Sequence, residues 1–598
     1  MNNIPLVSRI AVVFIAISFI GLAIYKRDRV NPIIKKFFTE ATHPLNLAVF
    51  RIAIFLTIIK FVRIPNIVWF SQMPDELLFL PKGLGWLFNY LPIDPTWARA
   101  MSILLLFFCF TGAIGLFSRT SALLTVILGF YVLGIGQLWG KVNHYNHLVW
   151  LPAILAASRC GDFFSVDAVL ASWKRADRGI TEPPKPSRIY SLPLRFVWLI
   201  IGLIYFFSGF WKSWTTGFDW FWSDNLTFHA YRKWVELDGW TPWLRLDHYP
   251  LLSKFSAFGA IVWEVGFIIL IFLPGWRLLA ALSGLAFHNM TNLFMRISFW
   301  TLQTCYVAFF DWYAIFNRLG KWLFPKPMYV IYDGNCKLCR RTIASLRVFD
   351  IFGRLTYLNA LEPEALAAHN VDWLEVNALV KDIHAVVDRQ TYWRGFAAYR
   401  VLLARIPLFW IILPLLYLPP LAKIGDRIYR RVADSRTCDV VSAKAFKSVK
   451  NKSYSLTPIF FVGILIISMN IFYSIKHETQ AWPFSCYPTF DTRQGETTQI
   501  LDLVPLTATG EVIPFSKQIV KKNLSPPRVN NMMKRILNIE DTVEQQRRLQ
   551  GFWQLMVQND PNLQQAESIQ FYRVKLWVAP ELQAENPVSK EFVSEFEV

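Results

Sequence analysis

The sequence predicts a multi-spanning α-helical membrane domain with an inserted α/β domain and a small C-terminal α+β domain. Three observations carry that prediction. Hydrophobic residues make up 54% of the 598 positions and charged residues 17%, against about 25% charge in an ordinary soluble chain. Apolar runs recur through the first half, several close to the ~20 residues a membrane-crossing helix needs. Near residue 328 the pattern changes to short strands, turn signals and polar-faced helices. Composition excludes long disordered tails and a collagen-like repeat. Seven cysteines in so long a chain cannot make a disulfide framework. The formal charge of +20 requires no nucleic acid, because Lys and Arg collect in the cytoplasmic loops of membrane proteins. Membrane lipids are the expected partner.

The first apolar run, Ile10 to Tyr25, is closed by Lys26, Arg27 and Arg29. It lacks a small-residue cleavage site and its basic cluster follows it, so residues 1–41 read as a retained anchor. Residues 42–322 form the main bundle. Its runs are Leu47–Phe61, Ala100–Phe117, Ala122–Gly140, His147–Ala157, Leu192–Phe210, Phe255–Leu273, Leu278–Phe294 and Ile297–Phe316. His147–Ala157 is short for a span. Residues 326–445 are the α/β insert. The isolated run Pro458–Ile475 then leads into a C-terminal region, 476–598. Basic residues in the 26–41 and 159–190 loops place both inside. The chain is then a multi-pass protein of the plasma or inner membrane, with a cytoplasmic insert and its C-terminal region on the outer side.

Within the insert, Met328–Tyr332 reads as a buried strand and Asp333-Gly334-Asn335 as a turn. Cys336-Lys337-Leu338-Cys339 follows, opening a helical pattern through Phe349. Free amides at a helix start stabilise a thiolate and lower the pKa of the first cysteine. A two-residue spacer lets the second thiol resolve a mixed disulfide. Lys337 and Arg340 add positive charge, and Asp333 and Gly334 shape the turn. The alternative is half of a zinc site completed by Cys438 with His369 or His384. The insert has no second Cys-x-x-Cys and no His-x-x-His, so no metal is assigned.

Tyr332-Asp333-Gly334-Asn335-Cys336-Lys337-Leu338-Cys339 resembles the opening signature of the DCC family of thiol–disulfide oxidoreductases. Gly395-Phe396-Ala397-Ala398 and the stretch Tyr429 through Arg436 fit that layout too. The resemblance covers about 326–440. It implies a thioredoxin-like fold, with Cys336 as nucleophile and Cys339 as resolving thiol. Thioredoxins place a cis-proline opposite the dithiol. Between Phe349 and Gly395 this chain has only Pro363. The run Ile406–Leu421, with four prolines, reads as packing or membrane-surface contact.

Ionisable residues inside apolar spans mark function by default. Four places stand out: Asn143-His144-Tyr145-Asn146-His147, Lys212, Glu264 and His288-Asn289. Lys212 is either a snorkelling interface lysine or a desolvated base. Glu264 and His288 are either interhelical hydrogen-bonding groups or substrate contacts. His144 and His147 could pair on a metal, but no third ligand lies near them in sequence. The tryptophan-rich stretch 209–254 is either an interfacial belt or an aromatic wall for a flat apolar ligand.

These places carry a second resemblance. Residues 42–316 look like the transmembrane domain shared by vitamin K-dependent gamma-carboxylases and their bacterial relatives, the HTTM class. The matching stretches are Pro44–Arg51, Asn143–Leu148, Gly161–Ala168, Tyr205–Lys212 and Phe287–Asn289. The resemblance implies that Lys212 is a catalytic base and that His288 and one of His144 or His147 belong to the site. The carboxylase motif has adjacent lysines, whereas residue 211 is Trp. A quinone-like ligand is implied more readily than glutamate carboxylation.

The C-terminal region alternates over Gln499–Pro514 around a Thr509-Gly510 turn. Helices are expected at Pro527–Leu537 and Asp541–Val557, and a strand at Ile569–Val578. It shows no catalytic constellation and reads as a docking or substrate-presenting domain. Two functions follow. One is a membrane-integral thiol–disulfide oxidoreductase, acting on a thiol or disulfide of a protein or small molecule, whose bundle binds a quinone or other lipophilic substrate. The other is a non-catalytic anchor or transporter-like bundle carrying an independent dithiol domain.

Overall fold

The computed structural model describes residues 4–237, 239–435, 455–514, 524, 526–583 and 587–598. The bundle runs α1 (Ile4–Tyr25), α2 (Arg27–Thr39), α3 (Pro44–Phe61), α4 (Pro95–Ile114), α5 (Ser118–Ile135), α6 (His147–Ala157), α7 (Val166–Ala176), α8 (Arg188–Trp211), α9 (Pro250–Leu270), α10 (Arg277–Met295) and α11 (Trp312–Leu323). Among the described residues eight helices are long and apolar enough to cross a membrane. They are α1, α3, α4, α5, α8, α9, α10 and the later helix Thr457–Ile475. The residues expected as the 26–41 loop form a helix instead, because α2 can bury Phe37 against α8.

Polar caps set the ends. Asp94 accepts the amides of Thr96 and Trp97 at the start of α4, and Ser165 that of Ala168 in α7. Helix α4 stops at Gly115, whose φ of +75° lies in the left-handed region. A Cβ there would also lie 2.2 Å from the Ser165 side chain. The same end of the bundle is tied by Arg51, which is fully buried. Its guanidinium donates to the carbonyls of Cys160 (2.6 Å), Phe164 (2.7 Å) and Ala113 (3.4 Å). Asp167 accepts the amides of Phe117 and Ser118 and the Ser118 hydroxyl.

Two expected spans differ. Helix α6 has only 11 residues and is almost wholly buried. The run Ile297–Phe316 is no single helix. It breaks into Trp300–Gln303, a 3₁₀ stretch at Thr304–Phe309, and α11, which Asp311 caps. Thr301, Leu302, Cys305 and Tyr306 are all buried. Irregular backbone is tolerated at membrane depth when protein surrounds it. A short apolar run in the sequence cannot show whether it will have that cover.

The insert forms β1 (Met328–Tyr332), α12 (Lys337–Phe349), β2 (Leu355–Asn359), β3 (His384–Val386), β4 (Tyr392–Arg394), α13 (Gly395–Leu403) and α14 (Pro419–Asp434). The sheet order is β2-β1-β3-β4. Strands β1 and β2 are parallel, while β3 is antiparallel to both β1 and β4. Residues 406–421 do not span, as the prolines require. They make short turns of helix at Pro407–Phe409 and Leu413–Tyr417 before α14. Helix α15 (Thr457–Ile475) then returns to the bundle, where Gly463 allows Phe196 of α8 to pack on it.

The C-terminal region holds β5 (Thr497–Leu506), α16 (Pro526–Leu537), α17 (Thr542–Asn559), β6 (Ser568–Trp577) and β7 (Ser589–Glu597). Strand β5 pairs with β6 along its length, and the turn expected around Thr509-Gly510 forms at its end, where the Thr507 amide donates to the Glu511 carbonyl at 3.0 Å and the Ile513 amide to that of Pro505 at 2.9 Å. The insert and this region sit at opposite ends of α8. At the first end α12 packs on α7: Arg340 donates to the Ala176 carbonyl and Trp173 to Ser345. At the other end Trp150 donates to the Pro483 carbonyl and Asn146 to Ser485. Twenty-four helical residues separate the ends by about 36 Å.

Replacing Arg51 by Leu should cost about 2–4 kcal/mol, because the buried Cys160 carbonyl and the partly buried Phe164 and Ala113 carbonyls lose a donor. Thermal unfolding in detergent reads this. A loss below about 1 kcal/mol would mean that the loop is held without it.

Candidate functional site

Two sites emerge, one at each end. The first is built on the β1–α12 turn. Asp333 accepts the Asn335 amide at 2.9 Å, and the Asp333 carbonyl accepts the Cys336 amide at 3.3 Å. Gly334 has no room for a side chain: a Cβ would lie 2.3 Å from Asn359 Oδ1, which accepts the Gly334 amide at 3.1 Å. This turn sets Cys336 as the N-cap of α12, with its sulfur accepting the Cys339 amide at 3.4 Å. A sulfur there takes up an otherwise orphaned donor and meets the positive end of the helix, which favours thiolate.

The bundle covers this turn. Arg340 spans from the Gly334 carbonyl (2.8 Å) to that of Ala176 (2.9 Å). Arg341 grips Asp177 through two 2.7 Å bonds and holds that carboxyl below its ordinary range. Cys336 is 1% exposed, whereas Cys339 is partly exposed and lines a cavity of about 690 Å³. Lys337 points outward near Asp177. Where a cis-proline would face the dithiol, the chain runs Lys381-Asp382-Ile383, and the Ile383 amide donates to the Tyr429 hydroxyl at 3.2 Å.

For the zinc alternative, Cys438 lies outside the described residues. The His369 ring rests on Tyr329, and His384 Nδ1 bonds the Asp382 carbonyl. Among the described residues no group of three or more His, Cys, Asp or Glu side chains could hold a metal.

The second site lies in the bundle, at the far end of α8. Gly202 and Gly209 let α8 approach α9 closely: a Cβ on Gly209 would lie 3.0 Å from the Glu264 Cβ. A wide π-type turn, Lys212–Thr216, extends α8. Lys212 Nζ then meets Glu264 Oε1 at 2.5 Å and Oε2 at 2.7 Å, with Ser208 Oγ at 3.3 Å and the Trp220 ring at 5.1 Å. Both partners are 2% exposed. They line a mostly apolar cavity of about 490 Å³ with Tyr205, Trp220, Trp263 and His288.

His288 Nε2 and the Tyr205 hydroxyl lie 2.5 Å apart, and Tyr205 bonds Tyr306 in turn. His288 Nδ1 is buried without a partner among the described residues. Lys212, Glu264 and His288, far apart in sequence, thus share one cavity. His144 and His147 are not in its lining. The His144 ring lies 4.4 Å from that of Tyr487, which is. Asn289 faces away from the cavity, exposed, and donates to the Leu285 carbonyl. The tryptophan stretch divides. Trp220 and Trp234 wall the cavity, while Trp222 and Trp243 are exposed.

Sequence reasoning missed Asn359, Tyr306 and Tyr487. Tyr487 comes from the segment after α15, and nothing local to it signals the bundle. Asn359 has a legible cue only in hindsight, as the residue ending the strand beside a glycine turn.

Comparison with protein-family models matches residues 330–438 to the DCC1-like thiol-disulfide oxidoreductase family. No curated protein and no solved structure matches the chain.

Gly334→Ala should cost ~1–3 kcal/mol through the clash with Asn359. Adding Asn359→Ala should recover most of that loss in a detergent melt. Lys212→Met or Glu264→Leu alone should cost about 3–5 kcal/mol, because each leaves a buried charge unpaired. The double variant should recover most of it; additive losses would refute the pairing.

Proposed function

We propose that this chain is a membrane-embedded thiol–disulfide oxidoreductase. The observation that carries the reading is the Cys339 amide bonded to Cys336 sulfur at the start of α12, within the DCC1-like match. The β2-β1-β3-β4 order, with the dithiol after the central β1, supports a thioredoxin-like fold for it. Cys336 and Cys339 exchange between dithiol and disulfide, giving or taking two electrons with a partner sulfur pair. The thiol domain faces the cytoplasm, since the basic segments 26–41 and 159–190 lie at its end of the bundle, and the C-terminal region lies on the outer side.

The bundle cavity binds a flat lipophilic molecule of the quinone type. Supporting this are its apolar aromatic walls, its few convergent polar groups and the likeness of 42–316 to the carboxylase transmembrane domain. Lys212 is the proton-handling group. Paired with Glu264 as an ammonium it is no base; it becomes one when its proton passes to the carboxylate. Glu264 therefore sets the state of Lys212, and His288 and Tyr205 supply hydrogen bonds to a ligand oxygen. His144 and His147 shape the wall behind Tyr487, and Asn289 borders the site from outside.

One observation favours the second reading, a bundle that only anchors an independent dithiol domain. The two sites lie about a helix length apart, at opposite ends of α8, so electrons have no direct route between them. Differential alkylation with and without reductant separates the possibilities. Cys336 and Cys339 should be reversibly protected in oxidised protein, and irreversible labelling under both conditions would end the oxidoreductase reading. A ubiquinone analogue should raise the detergent melting temperature, and Lys212→Ala, expressed at normal levels, should abolish that shift. A shift that survives Lys212→Ala would remove the lysine's role. No shift in the parent protein would leave the anchor reading.

A further inference from the structure

The cavity beside Cys339 has a chemistry of its own. Its walls are aliphatic and aromatic, from Phe396, Leu403, Leu415, Leu416, Ile424 and Ile428 among others. Seven of its apolar residues, among them Leu338, Leu415, Ile424 and Ile428, are also 41–57% exposed, so its mouth is apolar as well. The lining includes two carboxylates, Asp333 and Asp382, and neither Lys nor Arg among the described residues. Asp382 is matched from behind by Arg430 and the Tyr429 hydroxyl. Among the described residues an anionic disulfide would find no unpaired Lys or Arg in the lining, since Arg430 is engaged by Asp382. The Ile383 amide, just before β3 on the cavity wall, donates to the Tyr429 hydroxyl and so is not open to a peptide backbone. That argues against an extended polypeptide. A small, neutral, apolar disulfide fits.

The exposures also order the sulfurs. Cys336 is 1% exposed and not part of the cavity wall, while Cys339 is on it. Cys339 lies in the first turn of α12 and shares the favourable end of the helix.

We propose that the dithiol exchanges with an uncharged apolar disulfide seated in this cavity, with Cys339 as the attacking sulfur and Cys336 as the resolving one. This rests on the oxidoreductase reading and reverses the roles implied by the family resemblance. The Cys339 thiolate attacks one substrate sulfur. The substrate S–S bond breaks, a mixed disulfide forms on Cys339, and one alkanethiolate leaves. The Cys336 thiolate, already held against the Cys339 amide, attacks the Cys339 sulfur. The Cys336–Cys339 bond closes and the second alkanethiolate leaves. The two thiol protons end on the two alkanethiols. The protein dithiol loses two electrons and the substrate disulfide gains them.

The test is a single turnover of the pre-reduced full chain in detergent. The probes are di-n-butyl disulfide, bis(2-hydroxyethyl) disulfide, glutathione disulfide and insulin. Di-n-butyl disulfide should react at least about tenfold faster than glutathione disulfide or insulin. Leu416→Glu should slow di-n-butyl disulfide at least about tenfold more than it slows bis(2-hydroxyethyl) disulfide, which separates cavity binding from mere concentration in micelles. Peptide mapping should find the butylthio group trapped on Cys339 in Cys336→Ser, and Cys339→Ser should react about tenfold more slowly. Equal or faster reaction with glutathione disulfide or insulin overturns the inference. So does a preference unmoved by Leu416→Glu, or a butylthio group that accumulates on Cys336 in Cys339→Ser. Each of those leaves the oxidoreductase reading standing. No exchange with any probe removes both.

Discussion

Every polar group inside the apolar body of this protein must find its partner within the protein, and most of the architecture follows from that constraint. Arg51 is the plainest case. A guanidinium with no exposure is tolerable only because three carbonyls, one from the end of α4 and two from the connection between α6 and α7, converge on it. In satisfying the arginine they also fasten that connection, whose Phe164 packs on Phe349 of the dithiol domain. The Lys212–Glu264 pair obeys the same constraint. Neither ion could be buried alone, so α8 and α9 must approach at this level, and Gly209 permits the approach. The cavity is a consequence of that geometry.

The constraint also explains how two short apolar elements can lie buried in the bundle. Helix α6 and the broken stretch at 297–310 have no need of a full helical span, because neighbouring helices surround them. The long helices α1 and α9 carry many exposed apolar side chains, as a lipid-facing helix requires. Segment length alone therefore does not set burial: the long helix α8 is mostly buried, while α1 and α9 are mostly exposed.

The dithiol end works by a different principle. Here water is near, and a glycine turn, a helix start and one sulfur-directed amide set the chemistry locally. The bundle then alters it by covering Cys336 with the α7 end and leaving Cys339 as the accessible sulfur. Which sulfur of a motif thought of as self-contained faces outward is thus set by the domain it docks on. At the opposite end the C-terminal region closes the bundle cavity with Tyr487. Each soluble part completes one site, and the two sites do not communicate through contact.

The turn, the N-cap and the helix after Cys336 were legible because they depend on neighbours in sequence. A strand followed by Asp333-Gly334-Asn335 and a cysteine pair leaves the backbone few choices. Most of the long apolar helices were legible too, since a run of apolar residues near bilayer length has one economical conformation. Lys212, Glu264 and His288 stood out singly, because a charge or imidazole in an apolar run is costly wherever it ends up. Their meeting in one cavity was decided by helix packing, and so were Asn289's outward direction and Tyr487's place in the wall. The relative exposure of Cys336 and Cys339 was decided by docking between segments more than 150 residues apart. Local chemistry can be read along the chain because covalent neighbours determine it. Which groups share a cavity depends on contacts that only a complete fold brings together.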